Sequence, residues 1–186
     1  MTDIHTLPTD LPAPPDDGAC AHLTGQPWPT LALPGTDGQT HDLAALPGRT
    51  VVYIYPKTAR PDQGMPDDWD MIPGARGCTP QSCAFRDHHA ELREAGARVF
   101  GLSVQGTAYQ REAAGRLHLP FPLLSDAAGE LTRALRLPTF TAGGEKLLRR
   151  VTLIVRDGVI EQVFYPVFPP DRNAGDVLAW LAKHPG

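Results

Sequence analysis

Two thiols five residues apart, Cys78 and Cys83, are the chemistry this sequence offers first, in the stretch Gly77-Cys78-Thr79-Pro80-Gln81-Ser82-Cys83-Ala84-Phe85. They are two of only three cysteines in the chain. A thiolate is a nucleophile, and it is most reactive at a helix N-terminus, where unpartnered backbone N–H groups carry partial positive charge. Cys78 stands where a helical pattern begins, and Pro80 suits the first turn because its missing N–H costs nothing there. Those N–H groups would stabilise a Cys78 thiolate and would also donate to a bound oxygen atom. Arg76 adds positive charge nearby. We read Cys78 as the attacking thiol and Cys83 as the thiol that resolves its product.

The spacing constrains that chemistry. Five residues of ideal α-helix separate Cα atoms by roughly 8.6 Å, whereas a disulfide needs them closer than about 7 Å. Cys78 and Cys83 therefore cannot bridge while the turn between them is helical. The spacing predicts a folded, reduced state for attack and a locally unwound state for resolution. Two other readings stay open on the residues alone. One is a pair of buried core thiols that never react. The other is a zinc site built from Cys78, Cys83 and His88 or His89, although a structural zinc site usually draws on a second ligand pair and none follows. A C-x-x-C redox motif is excluded by the spacing. Of the two histidines, one falls on or beside the buried stripe and the other faces solvent. Cys20, beside His22, reads as an incidental thiol.

The elements that must position these residues follow from periodicity. Residues 28–33 read as a short edge strand, since Pro29 argues against a central one. A turn follows at Pro34–Gly38, then a short strand or turn segment from Gln39 to Leu46. Thr50 to Tyr55 is a nearly continuous β-branched and aromatic run, a buried central strand ended by Pro56. Residues 57–77 have no periodicity and carry Pro61, Pro66 and Pro73; a loop this long is usually functional or mobile. It is expected to rim the site, pinned to the body by Trp69 and Met71. From Thr79 to about Ala95 the pattern is helical, with Phe85, His88/His89 and Leu92 on one face and Gly96 as the stop. Strands are expected at 98–104 and 121–124, and helices at 107–117, 127–136 and 173–183. Residues 150–155 and 159–165, joined by Asp157-Gly158, form a strong hairpin signal. This order predicts an α/β sandwich with a mixed sheet.

The totals bound the rest. The chain has 186 residues, a hydrophobic fraction of 41% and a net charge of -4, which suits one domain with a real core and gives no basic patch for nucleic acid. Twenty prolines and eighteen glycines exceed the usual share, and much of the excess lies in the N-terminal tail and in 56–77, where irregular segments are expected. Residues 1–27 read as a flexible, proline-rich arm and 28–186 as the folded domain. The N-terminus lacks the apolar run of a secretory signal, and no stretch is long enough to cross a bilayer, so the expected location is the cytoplasm. In that reducing compartment, close cysteines are more often catalytic or metal-binding than structural disulfides.

With these residues in place, the sequence resembles the peroxiredoxins, and most closely their bacterioferritin-comigratory or Q-type subgroup. The resemblance rests on Tyr55-Pro56-Lys57 after the apolar strand and on Gly77-Cys78-Thr79, Cys83 and Phe85-Arg86-Asp87. It is supported by Leu33–Gly38, Phe121–Asp126, Arg150–Val155 and the final helix, and it spans Trp28 to Gly186. It implies a thioredoxin-like fold and thiol peroxidase activity on hydrogen peroxide or organic hydroperoxides. It implies a peroxidatic Cys78, a resolving Cys83, and Arg150 steadying the thiolate, with Arg149 as the fallback. It places Pro56, Thr58, Gly77 and Thr79 around the substrate. It implies no metal or prosthetic group, a thioredoxin-like reductant, and a monomer or weak dimer. Two departures stand out. Where the family places a hydroxyl residue three positions before the reactive cysteine, this chain has Ala75, and Thr58 is the candidate replacement. Pro56 also lies 22 residues before Cys78, farther than the family keeps them, so the loop reads as carrying an insertion. Loss of the hydroxyl opens the alternative of a peroxide sensor or thiol–disulfide oxidoreductase with weak peroxidase activity.

Overall fold

The computed structural model describes residues 5–186. Its centre is β3 (Arg49–Ile54), which follows a small antiparallel hairpin, β1 (Ala32–Pro34) and β2 (Thr40–Asp42). All six residues of β3 are buried, as a strand covered on both faces requires. The chain then passes through the long loop to α1 (Cys78–Asp87), α2 (His89–Glu94) and β4 (Ala97–Ser103). Next come α3 (Thr107–Arg116), β5 (Leu123–Ser125), α4 (Glu130–Ala134) and a hairpin, β6 (Thr139–Ala142) and β7 (Glu145–Leu148). It closes with β8 (Val151–Arg156), β9 (Val159–Phe164) and α5 (Asn173–Lys183).

The main sheet has the order β5-β4-β3-β8-β9. β3, β4 and β5 run parallel, while β8 and β9 are antiparallel, so the sheet is mixed as the sequence order predicts. Alternation along β3 divides the core. Val51 and Tyr53 face Phe85, Leu92, Val177 and Leu181 of α1, α2 and α5. Val52 and Ile54 face Leu131, Leu33 and Leu43 on the other side. Among the described residues, no helix is long and apolar enough to cross a membrane.

Several elements differ from the sequence expectation. The first strand begins at Ala32, because Trp28 is buried in the core and its backbone N–H donates to Gly158 O at 2.7 Å. The helix expected to 95 is two helices, because His88 leaves helical geometry (ψ 9°) and bonds Glu91 through its ring. The bonds from His88 N to Ala84 O and from Leu92 N to His88 O, both 3.0 Å, carry the turn across the kink and keep Phe85 and Leu92 on one buried side. α4 is shorter than expected, since Asp126 folds back to bond Leu131 N and Thr132 N at 3.0 and 2.9 Å. The hairpin β6–β7 has no counterpart in the sequence reading. Trp69 is buried and pins the long loop as expected, but Met71 is 73% exposed and does not.

The segment expected to be a flexible arm lies against the body over its described part. Cys20 and Leu23 are buried in the core, Gly25 N donates to Ile160 O at 2.8 Å, and Asp17 accepts from Tyr165 Oη at 2.9 Å. The physical reason is apolar burial: three isolated side chains, Cys20, Leu23 and Trp28, fill the face of the sheet left open by α4 and the β1–β2 hairpin. Residues 1–4 lie outside the described residues.

Candidate active site

Cys78 is the first residue of α1, and Gly77 caps it in a left-handed conformation, φ 108°. A side chain at 77 would be strained by that angle and blocked by packing: an added Cβ would meet Pro170 Cγ at 2.3 Å. The sharp entry turns the Cys78 sulfur inward, and the residue is 3% exposed.

Facing it is Arg150, at the edge of β8 and 4% exposed. Its Nη2 donates to Cys78 Sγ at 3.2 Å. The same nitrogen reaches Ala75 O at 3.0 Å and Arg76 O at 3.3 Å, and Nε reaches Gly74 O at 3.3 Å. Nη1 donates to Gln81 Oε1. Every one of these acceptors is neutral except the sulfur when ionised. Among the described residues, no carboxylate pairs with Arg150. A buried guanidinium without a counter-charge is costly. Among the described residues, the one ionisable group its fork reaches is the Cys78 sulfur.

The guanidinium is itself held. Gln81, one turn after Cys78, passes the contact on: its Nε2 donates to Asn173 Oδ1 at 3.0 Å, and Thr152 Oγ1 donates to the same oxygen at 2.7 Å. Gln81, Asn173 and Thr152 are all buried. This chain links α1, β8 and α5 behind the sulfur. Beneath the helix, Tyr53 stacks on Phe85 with ring centroids 4.5 Å apart and donates to Ser82 Oγ at 3.1 Å.

Other residues singled out from the sequence separate into those at the sulfur and those away from it. Gly77 and Thr79 line a recess of about 40 Å³ beside Cys78, together with Lys57, Ala59, Trp69 and Arg76. Thr79 is buried, and its hydroxyl makes no hydrogen bond within the described structure. Pro56 is buried at the end of the strand. Thr58 is also buried, but its hydroxyl donates to Gln105 Oε1 at 3.1 Å and so is turned from the sulfur. Ala75, where the family's hydroxyl would stand, contributes only its carbonyl, 3.7 Å from Cys78 Sγ. Arg149 lies elsewhere, its guanidinium 5.9 Å from the Phe140 ring centroid. His88 pairs with Glu91 at 2.7 Å, and His89 tilts against Phe121, where burial lowers its pKa.

Cys83 is half-buried further along α1, and all three cysteines are free thiols. Burial raises its pKa above 9.0, opposed by Arg86. Cys20 is pushed up to about 12, first by burial and then by Asp17 and Asp16. The sequence reading did not find Gln81, Asn173 or Thr152. Gln81 carried a signal, lying one helical turn from Cys78, but nothing local points to Asn173.

The chain is similar to known proteins over most of its length. The Redoxin family matches residues 23–178. The chain is 31% identical over 159 residues to a chloroplastic peroxiredoxin Q of Oryza sativa subsp. japonica, covering 84% of this chain and 65% of that protein, so it spans just under two thirds of that relative's length. It is 30% identical over 159 residues to the chloroplastic peroxiredoxin Q of Sedum lineare, covering 84% of this chain and 76% of that one. Among solved structures it superposes on the peroxidoxin BcpB of Mycobacterium tuberculosis with a TM-score of 0.72 at 26% identity, over 89% of this chain and 100% of that chain. The thioredoxin-like sandwich, the sulfur–guanidinium pair and these relatives converge: the chain belongs to the Redoxin family, in its peroxiredoxin Q group.

Proposed function

We propose that this protein is a thiol peroxidase acting on hydrogen peroxide or an organic hydroperoxide, with residues 28–186 as its catalytic body. The observation that carries the reading is the buried Arg150 guanidinium, whose one ionisable partner among the described residues is the Cys78 sulfur, 3.2 Å away. The thiolate attacks the nearer peroxide oxygen. An S–O bond forms as the O–O bond breaks, the sulfur is oxidised by two electrons, and the departing oxygen takes a proton and leaves as water or an alcohol. Arg150 steadies the sulfur and faces the charge that develops on the oxygens. The recess of about 40 Å³ suits the peroxide's two oxygens, since a water-sized site takes about 10–15 Å³. In it the Thr79 hydroxyl is the side-chain donor nearest in sequence to Cys78, a role that Thr58, held by Gln105, leaves vacant. Gly77 permits the turn, and Pro56 walls the site.

Cys83 resolves the product. Its thiolate attacks the Cys78 sulfenic acid, an S–S bond forms, and the hydroxyl leaves as water. The five-residue spacing requires the first turn of α1 to unwind for this step. A thioredoxin-like dithiol then reduces the disulfide by exchange, which suits a reducing compartment such as the cytoplasm. The test is peroxide consumption coupled to a thioredoxin system. The reading requires turnover that Cys78→Ser abolishes and Cys83→Ser reduces; equal consumption by wild type and Cys78→Ser would refute it.

A further inference from the structure

The described N-terminal segment touches the catalytic turn at two points. Leu7 Cδ2 lies 2.9 Å from where a Cβ on Gly77 would stand, on the helix cap itself. Pro14 lies 3.3 Å from the corresponding position on Gly74, whose carbonyl accepts from Arg150 Nε. Pro170 closes on Gly77 from α5's approach, so the cap is held between two chain segments. The strand of chain that does this is anchored beyond the contact: Asp17 accepts from Tyr165, and Cys20 and Leu23 are buried in the core. A segment with a fixed end and apolar contacts at the moving part has the form of a clamp.

We propose that residues 7–17 clamp the first turn of α1 in its helical state, and so set how oxidised Cys78 divides between two fates. The proposal rests on the peroxidase reading for its chemical consequence, but its physical core does not. Unwinding the turn breaks the Gln81 N to Gly77 O bond, 3.0 Å, and moves Gly77 out of its left-handed conformation. That motion must displace Leu7. While the turn stays helical, Cys83 cannot reach the sulfenic acid, and a second peroxide can. In that step the sulfenate sulfur attacks the second peroxide, a further S–O bond forms, the O–O bond breaks, and water or an alcohol leaves, giving a sulfinic acid. A tighter clamp thus favours sulfinic acid; a looser one favours the disulfide. Neither Leu7 nor Pro14 lines the recess beside Cys78.

The experiment uses the full-length chain carrying Leu7→Ser and Pro14→Ser. Amide hydrogen exchange of the reduced protein reads the clamp directly, without peroxide. The expected result is exchange at Gln81 and Ser82 faster by about tenfold, the scale of losing a partly buried apolar side chain from a local opening, with β3 and β8 unchanged. Unchanged exchange at Gln81 and Ser82 overturns the proposal. Mass spectrometry after graded hydrogen peroxide reads the consequence. The expected result is a sulfinic fraction at Cys78 several-fold lower in the variant, with the first oxidation at the wild-type rate. Faster exchange with the same sulfinic fraction would overturn the claim that the clamp sets the partition. If Cys78 stays a thiol in both proteins, the peroxidase reading fails, and the exchange result still decides the clamp.

Discussion

Replacing Arg150 with methionine removes the guanidinium that donates to Cys78 Sγ at 3.2 Å while keeping much of its apolar stem. At that separation and an effective dielectric of about 20, the gross attraction between guanidinium and thiolate is about 5 kcal/mol. Desolvation of both groups takes back part of it. Loss of one preorganised donor at a developing oxyanion costs ~2.7–4 kcal/mol, or 10²–10³ in rate, in comparable sites. We therefore expect the second-order rate of Cys78 oxidation to fall by about 10²–10³. Arg150→Lys keeps a charge but not the fork that reaches Gln81, three carbonyls and the sulfur together, so an intermediate rate is expected. The methionine variant also strands the Gln81 side chain and the carbonyls of Gly74, Ala75 and Arg76, a stability cost of about 1–3 kcal/mol. The assay is rapid-quench mass spectrometry of Cys78 under excess peroxide, with thermal unfolding run beside it to confirm a folded protein. A folded Arg150→Met protein oxidised within about threefold of wild type would refute the electrostatic argument.

Three further outcomes are expected. Gln81→Leu breaks the chain from Arg150 to Asn173 and should slow oxidation by about tenfold and destabilise the fold by about 1–3 kcal/mol; rate and melting temperature read it. Gly77→Ala puts a Cβ 2.3 Å from Pro170 Cγ at φ 108°, and urea unfolding should show a loss of at least about 2 kcal/mol. Burial disfavours the Cys20 thiolate and pushes its pKa from the ordinary 9.0 up to about 12. Its contribution is fully present below pH 9.0 and is lost as pH rises toward about 12, since the unfolded chain sheds that proton first. Stability of the wild type should therefore fall between pH 9 and 11 more steeply than that of Cys20→Ala, by up to about 1.4 kcal/mol per pH unit; equal slopes would contradict it.

How much of this was legible in the sequence depended on whether the signal was local. β3, the β8–β9 hairpin at Asp157-Gly158 and α5 carry their own patterns, and they fold where those patterns put them. The β6–β7 hairpin does not. Its Leu147 and Ala142 are buried against Trp69, which sits in the aperiodic loop some seventy residues earlier, so its apolar face has meaning only after the loop has folded. Cys20, Leu23 and Trp28 were obscured in the same way, as single apolar residues among prolines whose burial depends on the far side of the sheet. At the site, Cys78 is named by residue type and spacing, whereas Arg150 enters only through the resemblance of Arg150–Val155 to the peroxiredoxin strand. The contact from Gln81 to Asn173 spans 92 positions and has no local trace. Thr58 offers a hydroxyl close to Pro56 in sequence, but that hydroxyl donates to Gln105, 47 positions away and outside any local window.

The most direct test of the account is a titration of the reduced protein and its Cys83→Ser variant with one equivalent of hydrogen peroxide, read by mass spectrometry of the intact and digested chains. The account predicts a Cys78–Cys83 disulfide in the wild type and a sulfenic or sulfinic Cys78 in the variant. Cys78 remaining a thiol in both, with peroxide unconsumed, would contradict it.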